Sequence, residues 1–149
     1  MLRSNALKKV LVIDGQGGRV GALLVERLKK ADVSAEIWAV GANSSATNAM
    51  LRAGADRGAT GENPVVVACR QADIVMGPIG IIIADSLLGE ITPKMSDAVS
   101  ACRADKVLLP VNKCGVYIAG AGEHSLSELI EMAADRAVTL LNQDQLYNK

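Results

Sequence analysis

The sequence predicts an α/β fold: one domain over residues 1–149, with a mainly parallel sheet of five or six strands and helices on both faces. Segments rich in Ile, Val and Leu alternate with segments of helical periodicity, a pattern typical of parallel strands joined by right-handed helical crossovers. Half of the residues are hydrophobic, yet the chain has no Phe and one Trp. Such an aliphatic composition suits a sheet that is covered on both faces.

Four strands and three helices are predicted in the first half of the chain. The strands are residues 7–13, 36–40, 55–60 and 73–77. Val20, Leu23, Leu24 and Leu28 form the apolar stripe of the first helix. Asn43 or Ser44 is the N-cap of the second helix. Asn63-Pro64 reads as the N-cap and first residue of a third helix, although the valines that follow suit a strand equally well.

The second half continues the alternation. Residues 79–88 are almost wholly apolar and end at Gly89, which indicates a buried helix; a second copy of the chain would cover its remaining apolar surface, so a homodimer is predicted. Thr92-Pro93 starts the next helix. Residues 106–111 form the fifth strand and residues 115–119 a short sixth. Ser125 and Glu128 form a capping box for a last helix that reaches Leu141, before a frayed tail at residues 142–149. The predicted architecture is Rossmann-like and doubly wound.

Charge and cysteine content narrow the class of protein. The chain carries 16 basic and 16 acidic residues, so no basic field attracts nucleic acid or an anionic membrane surface. Cys69, Cys102 and Cys114 are odd in number and lack CxxC spacing, which suggests neither a disulfide framework nor a zinc site. No other metal site is predicted, and His124, the single histidine, is expected to face solvent. Free thiols, a polar segment 1–6 and no membrane-length apolar run predict a cytoplasmic protein.

The loops that follow the strands are predicted to form one ligand crevice, because ligands of such sheets bind beyond the carboxyl ends of the strands. Each loop contains glycine or small polar residues. The predicted binding residues are Asp14, Gly15, Gln16, Gly17, Gly18 and Arg19; Gly41, Asn43 and Ser44; Thr60, Gly61, Glu62 and Asn63; Gly77, Pro78 and Gly80; and Asn112.

The glycine-rich turn of residues 14–21 is the strongest single feature. It joins a strand to a helix, so its backbone N–H groups and the positive end of the helix dipole suit a phosphate or similar anion. Gly15, Gly17 and Gly21 give G-x-G-x-x-x-G, one residue longer than the usual dinucleotide spacing; if Gly18 and Gly21 are the last two glycines instead, Gln16 replaces the first. The alternative is a purely structural tight turn.

The cofactor suggested by these loops is NAD(P) or another nucleotide. NAD sites usually carry Asp or Glu at the end of the second strand, whereas this chain has Gly41-Ala42-Asn43-Ser44. Asn43 can bond a ribose, and Ser44 with Thr47 can meet a 2′-phosphate. The simpler interpretation of Asn43 and Ser44 is a helix cap.

Three residues are candidates for catalysis. Lys113 can lower the pKa of the neighbouring Cys114 thiol and make it a nucleophile; alternatively, Lys113 contacts phosphate and Cys114 is structural. Glu62 is the preferred acid or base ahead of Asp85 and Glu90, because its loop points at the crevice. The alternative for each carboxylate is simple solvation.

Several unusual strings mark a resemblance to a known family. VIDGQGG, GATGEN, GPIGIIIADSLLGEIT and the PVNKC after the fifth strand are similar to a family of short bacterial proteins classed as a domain of unknown function. The resemblance runs from about Val10 to about Leu141. It implies a Rossmann-like nucleotide-binding fold and no known activity.

Three functions are therefore considered. The first is a domain that binds a nucleotide or dinucleotide as a small anionic ligand. The second is an NAD(P)-dependent oxidoreductase whose site is completed by a partner chain. The third is a receiver-like signalling domain, suggested by Asp14 and Lys113, but its loop after the third strand lacks the acceptor Asp that phosphorylation requires.

Overall fold

The computed structural model of the protein describes residues 6–111 and 115–146, with the backbone alone for residues 144–146. These residues form a five-stranded, fully parallel sheet in the order β3-β2-β1-β4-β5. The elements, in chain order, are β1 (Lys8–Asp14), α1 (Arg19–Lys30), β2 (Ala35–Gly41), α2 (Ser44–Arg52), β3 (Arg57–Thr60), α3 (Glu62–Cys69), β4 (Ile74–Pro78), a 3-10 turn (Ile79–Ile82), α4 (Pro93–Ala101), β5 (Asp105–Leu109) and α5 (Leu126–Leu146). The α/β, Rossmann-like fold class is confirmed.

The strand order places a topological switch beside β1. The chain runs from β1 outward through β2 to β3, then returns to pair β4 with the other side of β1. Asp14 pairs with Gly41, and Gly41 with Thr60, so β1, β2 and β3 end together at one edge. This register brings the loops after these three strands to the same edge, as predicted.

Helices cover both faces of the sheet. On one face, Val10 and Val12 of β1 pack with Leu24 and Leu28 of α1 and with Ala134 of α5. On the other face, the core joins β1, α3, α4 and the segment after β4; its members include Leu11, Ile13, Val65, Ile81, Leu87, Ile91, Met95 and Val99. Alternate residues of β1 therefore serve opposite cores, which explains why the strand is apolar throughout.

Several predicted elements are wrong in their bounds or type. α3 begins at Glu62 with Gly61 as N-cap, so Asn63 lies inside the first turn. Residues 79–88 form the short 3-10 turn and further turns instead of a helix. Residues 115–119 form no strand. α5 continues to Leu146 because no glycine or proline interrupts it.

The predicted caps of α2, α4 and α5 are confirmed. Asn43 caps α2 by accepting the Ala46 N–H at 2.9 Å, and Thr92 caps α4. The Ser125 hydroxyl accepts the Glu128 N–H at 3.2 Å, so the capping box of α5 forms. Within the described ranges, no helix combines the length and apolar character that a membrane crossing requires.

Candidate functional site

The glycine-rich corner, residues 15–18, links β1 to α1. The Gly18 N–H donates to the Gly15 carbonyl at 2.9 Å, which closes the turn. Gly18 is the N-cap of α1 and has a left-handed backbone, with φ of 73°. A Cβ added there would lie 2.7 Å from the Ala46 Cα. Glycine is required at position 18 for conformation and for the close approach of α2.

Gly17 has no such structural explanation. A Cβ built on Gly17 meets nothing within 4 Å, and the residue is exposed. No described group accepts a hydrogen bond from the backbone N–H of Gly17 or of Arg19, the first residue of α1. The corner therefore offers two unpaired donors on an open surface.

Asp14 occupies the inner side of the corner. Its buried carboxylate accepts the Gly15 N–H at 2.8 Å and the Gly21 N–H at 2.7 Å. Burial raises the pKa of Asp14 and the negative charge of Glu90 raises it further, while the bonds from the Gly21 and Gly15 amides oppose that rise. Two N–H groups of the predicted anion-binding turn, those of Gly15 and Gly21, are therefore paired with the Asp14 side chain.

Glu90 occupies the outer side. Its Oε1 accepts the Gln16 N–H at 2.8 Å, and its Oε2 accepts from Asn43 Nδ2 at 2.6 Å. Asn43 Nδ2 also donates to the Gln16 carbonyl at 3.0 Å. The Gln16 N–H is thus also hydrogen-bonded. Its acceptor, Glu90, is a residue that the sequence indicates only as a possible acid or base.

Glu90 belongs to the covering loop, which we define as residues 83–91. Leu87 of this loop lies over Gly15, with its Cδ1 2.9 Å from the position of an added Cβ. The backbone of Asp85, Leu87 and Leu88 is left-handed, with φ of 64°, 55° and 56°. Each such non-glycine residue costs about 1–2 kcal/mol. The loop therefore holds a strained conformation against the corner.

The residues predicted at the ends of β2 and β3 form a polar cluster in which Gly41 and Thr47 are buried and Thr60 is exposed. Thr47 Oγ1 lies 2.7 Å from Thr60 Oγ1 and 3.2 Å from the Gly41 N, and a Cβ on Gly41 would overlap Thr47. Gly61 donates its N–H to the Gly41 carbonyl at 2.9 Å. These contacts tie β2, α2 and β3 together, while Ser44 is exposed at the start of α2.

The remaining predicted residues have mixed positions. Glu62 is exposed and accepts from the Thr92 hydroxyl at 2.6 Å, which joins the starts of α3 and α4. Gly77 packs against the Ile13 carbonyl, and Gly80 offers its carbonyl to the Ser86 hydroxyl. Pro78 is the last residue of β4. Asn112, Lys113 and Cys114 lie outside the described residues. Within the described part, no three His, Cys, Asp or Glu side chains are grouped to hold a metal.

An apolar groove of about 380 Å³ lies over β2 and β3, beside the start of α3. Trp38 and Ala59 line it from the sheet, and Asn63, Pro64 and Val67 line it from α3. The Trp38 indole nitrogen is buried and has no hydrogen-bond partner among the described residues. The sequence did not single out this groove, because its walls come from segments distant in the chain.

A parallel sheet in this order, with a glycine-rich corner between β1 and α1 at the switch point, defines a Rossmann-like domain. The chain belongs to the family described as domain of unknown function 3842 (DUF3842), whose family model matches residues 9–142. The resemblance to a family of unknown function is thereby confirmed.

Comparisons beyond the family are distant. No curated protein matches the chain. A crystal structure of a "putative epimerase" from Bacteroides thetaiotaomicron is 18% identical, with a TM-score of 0.40, covering 97% of this chain and 67% of that one. A dodecameric FMN-dependent UbiX-like decarboxylase from Escherichia coli O157:H7 is 13% identical, with a TM-score of 0.39, covering 91% and 94%. These likenesses carry no functional information for this chain.

Proposed function

We propose that this protein binds a nucleotide and holds its phosphate on the outer side of the glycine-rich corner. The observation that carries the proposal is the Glu90 carboxylate on the Gln16 N–H and the Asn43 amide, at 2.8 and 2.6 Å. A carboxylate and a phosphate present the same kind of anionic oxygen to such donors. The corner is thus already arranged to accept a negative group.

The surroundings of Gln16 favour an anion further. The N–H groups of Gly17 and Arg19 add two donors, and the open space above Gly17 admits a group larger than a carboxylate. The first turn of α1 has no acidic residue, and Arg19 places a positive charge there. A cation at a helix N-terminus is unfavourable by about 0.3–1 kcal/mol, which a bound anion would offset.

The apolar groove supports a nucleotide rather than phosphate alone. It lies over β2 and β3, and its end at Ala59 and Asn63 reaches the edge of the sheet that also carries the corner. Its volume of about 380 Å³ falls within the range of small-molecule sites, roughly 300–1,000 Å³. A flat base would pack on its apolar walls beside Trp38, and the Arg57 guanidinium, 5.9 Å from the centre of the Trp38 ring, would have to move aside for a base to stack on that ring.

Replacing Gly17 with valine should weaken anion binding without disturbing the fold. The valine side chain would fill the open space above the corner, so we expect ADP to bind at least about 10-fold more weakly, a loss of about 1.4 kcal/mol. The melting temperature should change by less than about 2 °C because nothing packs there. Isothermal titration measures the affinity for ADP, and thermal unfolding measures the melting temperature. Unchanged ADP affinity would contradict the proposed site, and Gly17→Ala serves as the smaller-volume control.

Replacing Val67 with tryptophan tests the groove separately. Val67 is 39% exposed on α3, so a larger side chain is tolerated and would project over the groove. We expect ADP to bind about 5–10-fold more weakly, with inorganic phosphate affinity unchanged, because only the base is displaced. Equal losses for both probes would argue against a base in the groove.

The alternative functions gain no specific support. An NAD(P)-dependent oxidoreductase would usually carry Asp or Glu at the end of β2 to bind the ribose, but Gly41 is the last residue of β2 and Asn43 Nδ2 already donates to the Gln16 carbonyl. Titration with NAD and NADP beside ADP separates this possibility. For a receiver-like domain, the acidic residue after β3 is Glu62, which is bonded to Thr92.

A further inference from the structure

Glu90 and Leu87 cover neighbouring positions of the corner from a single loop. We propose that the covering loop is an autoinhibitory lid: the Glu90 carboxylate competes with the ligand's phosphate for the Gln16 N–H, and binding requires its release. This inference rests on the proposed function. It adds an internal competitor that sets the affinity of the site.

The contacts make simultaneous occupancy unfavourable. A phosphate oxygen on the Gln16 N–H would take the place of Glu90 Oε1, which lies 2.8 Å from that nitrogen. The buried Asp14 carboxylate stands on the inner side of the same corner. Adding a phosphate while Glu90 stays would bring three anionic groups together, and their repulsion is strong at short range. Glu90 must therefore withdraw.

The part of the covering loop that can withdraw is its tip, residues 87–90, because Ile91 is fully buried in the core and the Ser86 hydroxyl donates to the Gly80 carbonyl. The Asp85 N–H donates to the Ile91 carbonyl at 2.7 Å and closes the base of the loop. This bond survives if the tip lifts. The Glu90 bonds and the packing of Leu87 hold it to the corner. The left-handed backbone of Leu87 and Leu88 opposes closure, since strain stored there is relieved by opening.

Glu90→Gln is the decisive variant, because it keeps the shape of the side chain and removes its charge. Titration with ADP and with inorganic phosphate should show about 10-fold tighter binding than in the wild type, equivalent to about 1.4 kcal/mol. The matched control is Asp97→Asn, the same charge change at an exposed residue of α4, with affinity expected within about 2-fold. In the double variant Gly17→Val/Glu90→Gln, the gain in affinity for ADP and phosphate should be lost.

Hydrogen exchange supplies the second readout. Amides of residues 83–91 should exchange faster in Glu90→Gln than in the wild type, and faster in the wild type when it is saturated with ADP. Glu90→Asp, whose shorter side chain withdraws the carboxylate from Gln16 but keeps the charge, should also speed exchange. This variant keeps the test open if Glu90→Gln folds poorly.

Each outcome decides. Binding of ADP to Glu90→Gln with wild-type affinity, together with unchanged exchange, would overturn the lid and leave nucleotide binding intact. Binding to Glu90→Gln but not to the wild type would support the lid in its strongest form. Absence of binding to both proteins would overturn the proposed function and the lid with it.

Discussion

Replacing Gly77 with alanine is expected to leave no stably folded protein. A Cβ on Gly77 would overlap the carbonyl oxygen of Ile13, a backbone atom of the adjacent central strand. Neither strand can shift without breaking the β1–β4 pairing. We expect a loss of more than about 4 kcal/mol, which approaches the whole stability of a domain of this size. Circular dichroism and thermal unfolding of the purified variant measure it.

Gly58→Ala is the matched control, because it makes the same change in a strand of the same sheet. Gly58 lies in the edge strand β3, and its added Cβ would meet only the end of the Leu51 side chain, at 2.9 Å. A flexible and partly exposed side chain can move, so the cost should stay below about 1 kcal/mol. A cooperative Gly77→Ala protein with a near-normal melting temperature would contradict the close approach of β4 to β1.

The sheet was predictable because its signals are local. The aliphatic runs of β1, β2 and β4 are too apolar for anything but a covered strand, and the caps at Asn43, Thr92 and Ser125 identify helix starts by side-chain chemistry. Parallel strands then force their loops to one edge. The shared edge of β1, β2 and β3 follows from this geometry and needs no knowledge of side-chain packing.

The covering loop was not predictable in the same way. Residues 79–88 are apolar enough for a buried helix, and nothing in the composition shows that Leu87 and Leu88 take left-handed backbones. Leu87 does so because its side chain is then buried over Gly15. Leu88, by contrast, is 98% exposed. Tertiary packing, rather than local preference, decides the backbone of Leu87, whereas nothing in the structure explains that of Leu88.

The pairing of Asp14 with the N–H groups of the turn could not be predicted from the sequence either, for a related reason. Glycines and a helix start indicate available N–H groups, but the pattern does not reveal whether the preceding Asp14 turns inward or outward. In the structure it turns inward and binds Gly15 and Gly21 across seven residues of chain. The N–H groups of Gly17 and Arg19 remain unpaired, so the turn offers fewer free donors than its glycine pattern suggests.

Asp14→Ala is expected to destabilise the protein by about 2–3 kcal/mol at neutral pH. The substitution leaves two buried backbone donors, on Gly15 and Gly21, without acceptors, and each unsatisfied donor costs roughly 1–3 kcal/mol. Relief from burying a charged carboxylate offsets part of that cost. Asp14→Asn retains one acceptor oxygen and should lose about half as much. Urea denaturation of the three proteins at pH 7 provides the comparison.

The pH dependence of this loss tests why Asp14 is placed there. Burial and the nearby Glu90 raise the pKa of Asp14 above its ordinary value of 3.8, despite the amide bonds that favour the charged form. Between the unfolded and the raised folded pKa, the folded protein binds more protons than the unfolded chain, so the free energy of unfolding falls as pH rises. The stability gap between wild type and Asp14→Ala should thus be widest below pH 3.8 and narrow as pH rises through the folded pKa. A gap that widens with pH would mean that the Gly15 and Gly21 amides outweigh burial, leaving the corner strong enough as a donor site to hold even a buried carboxylate charged.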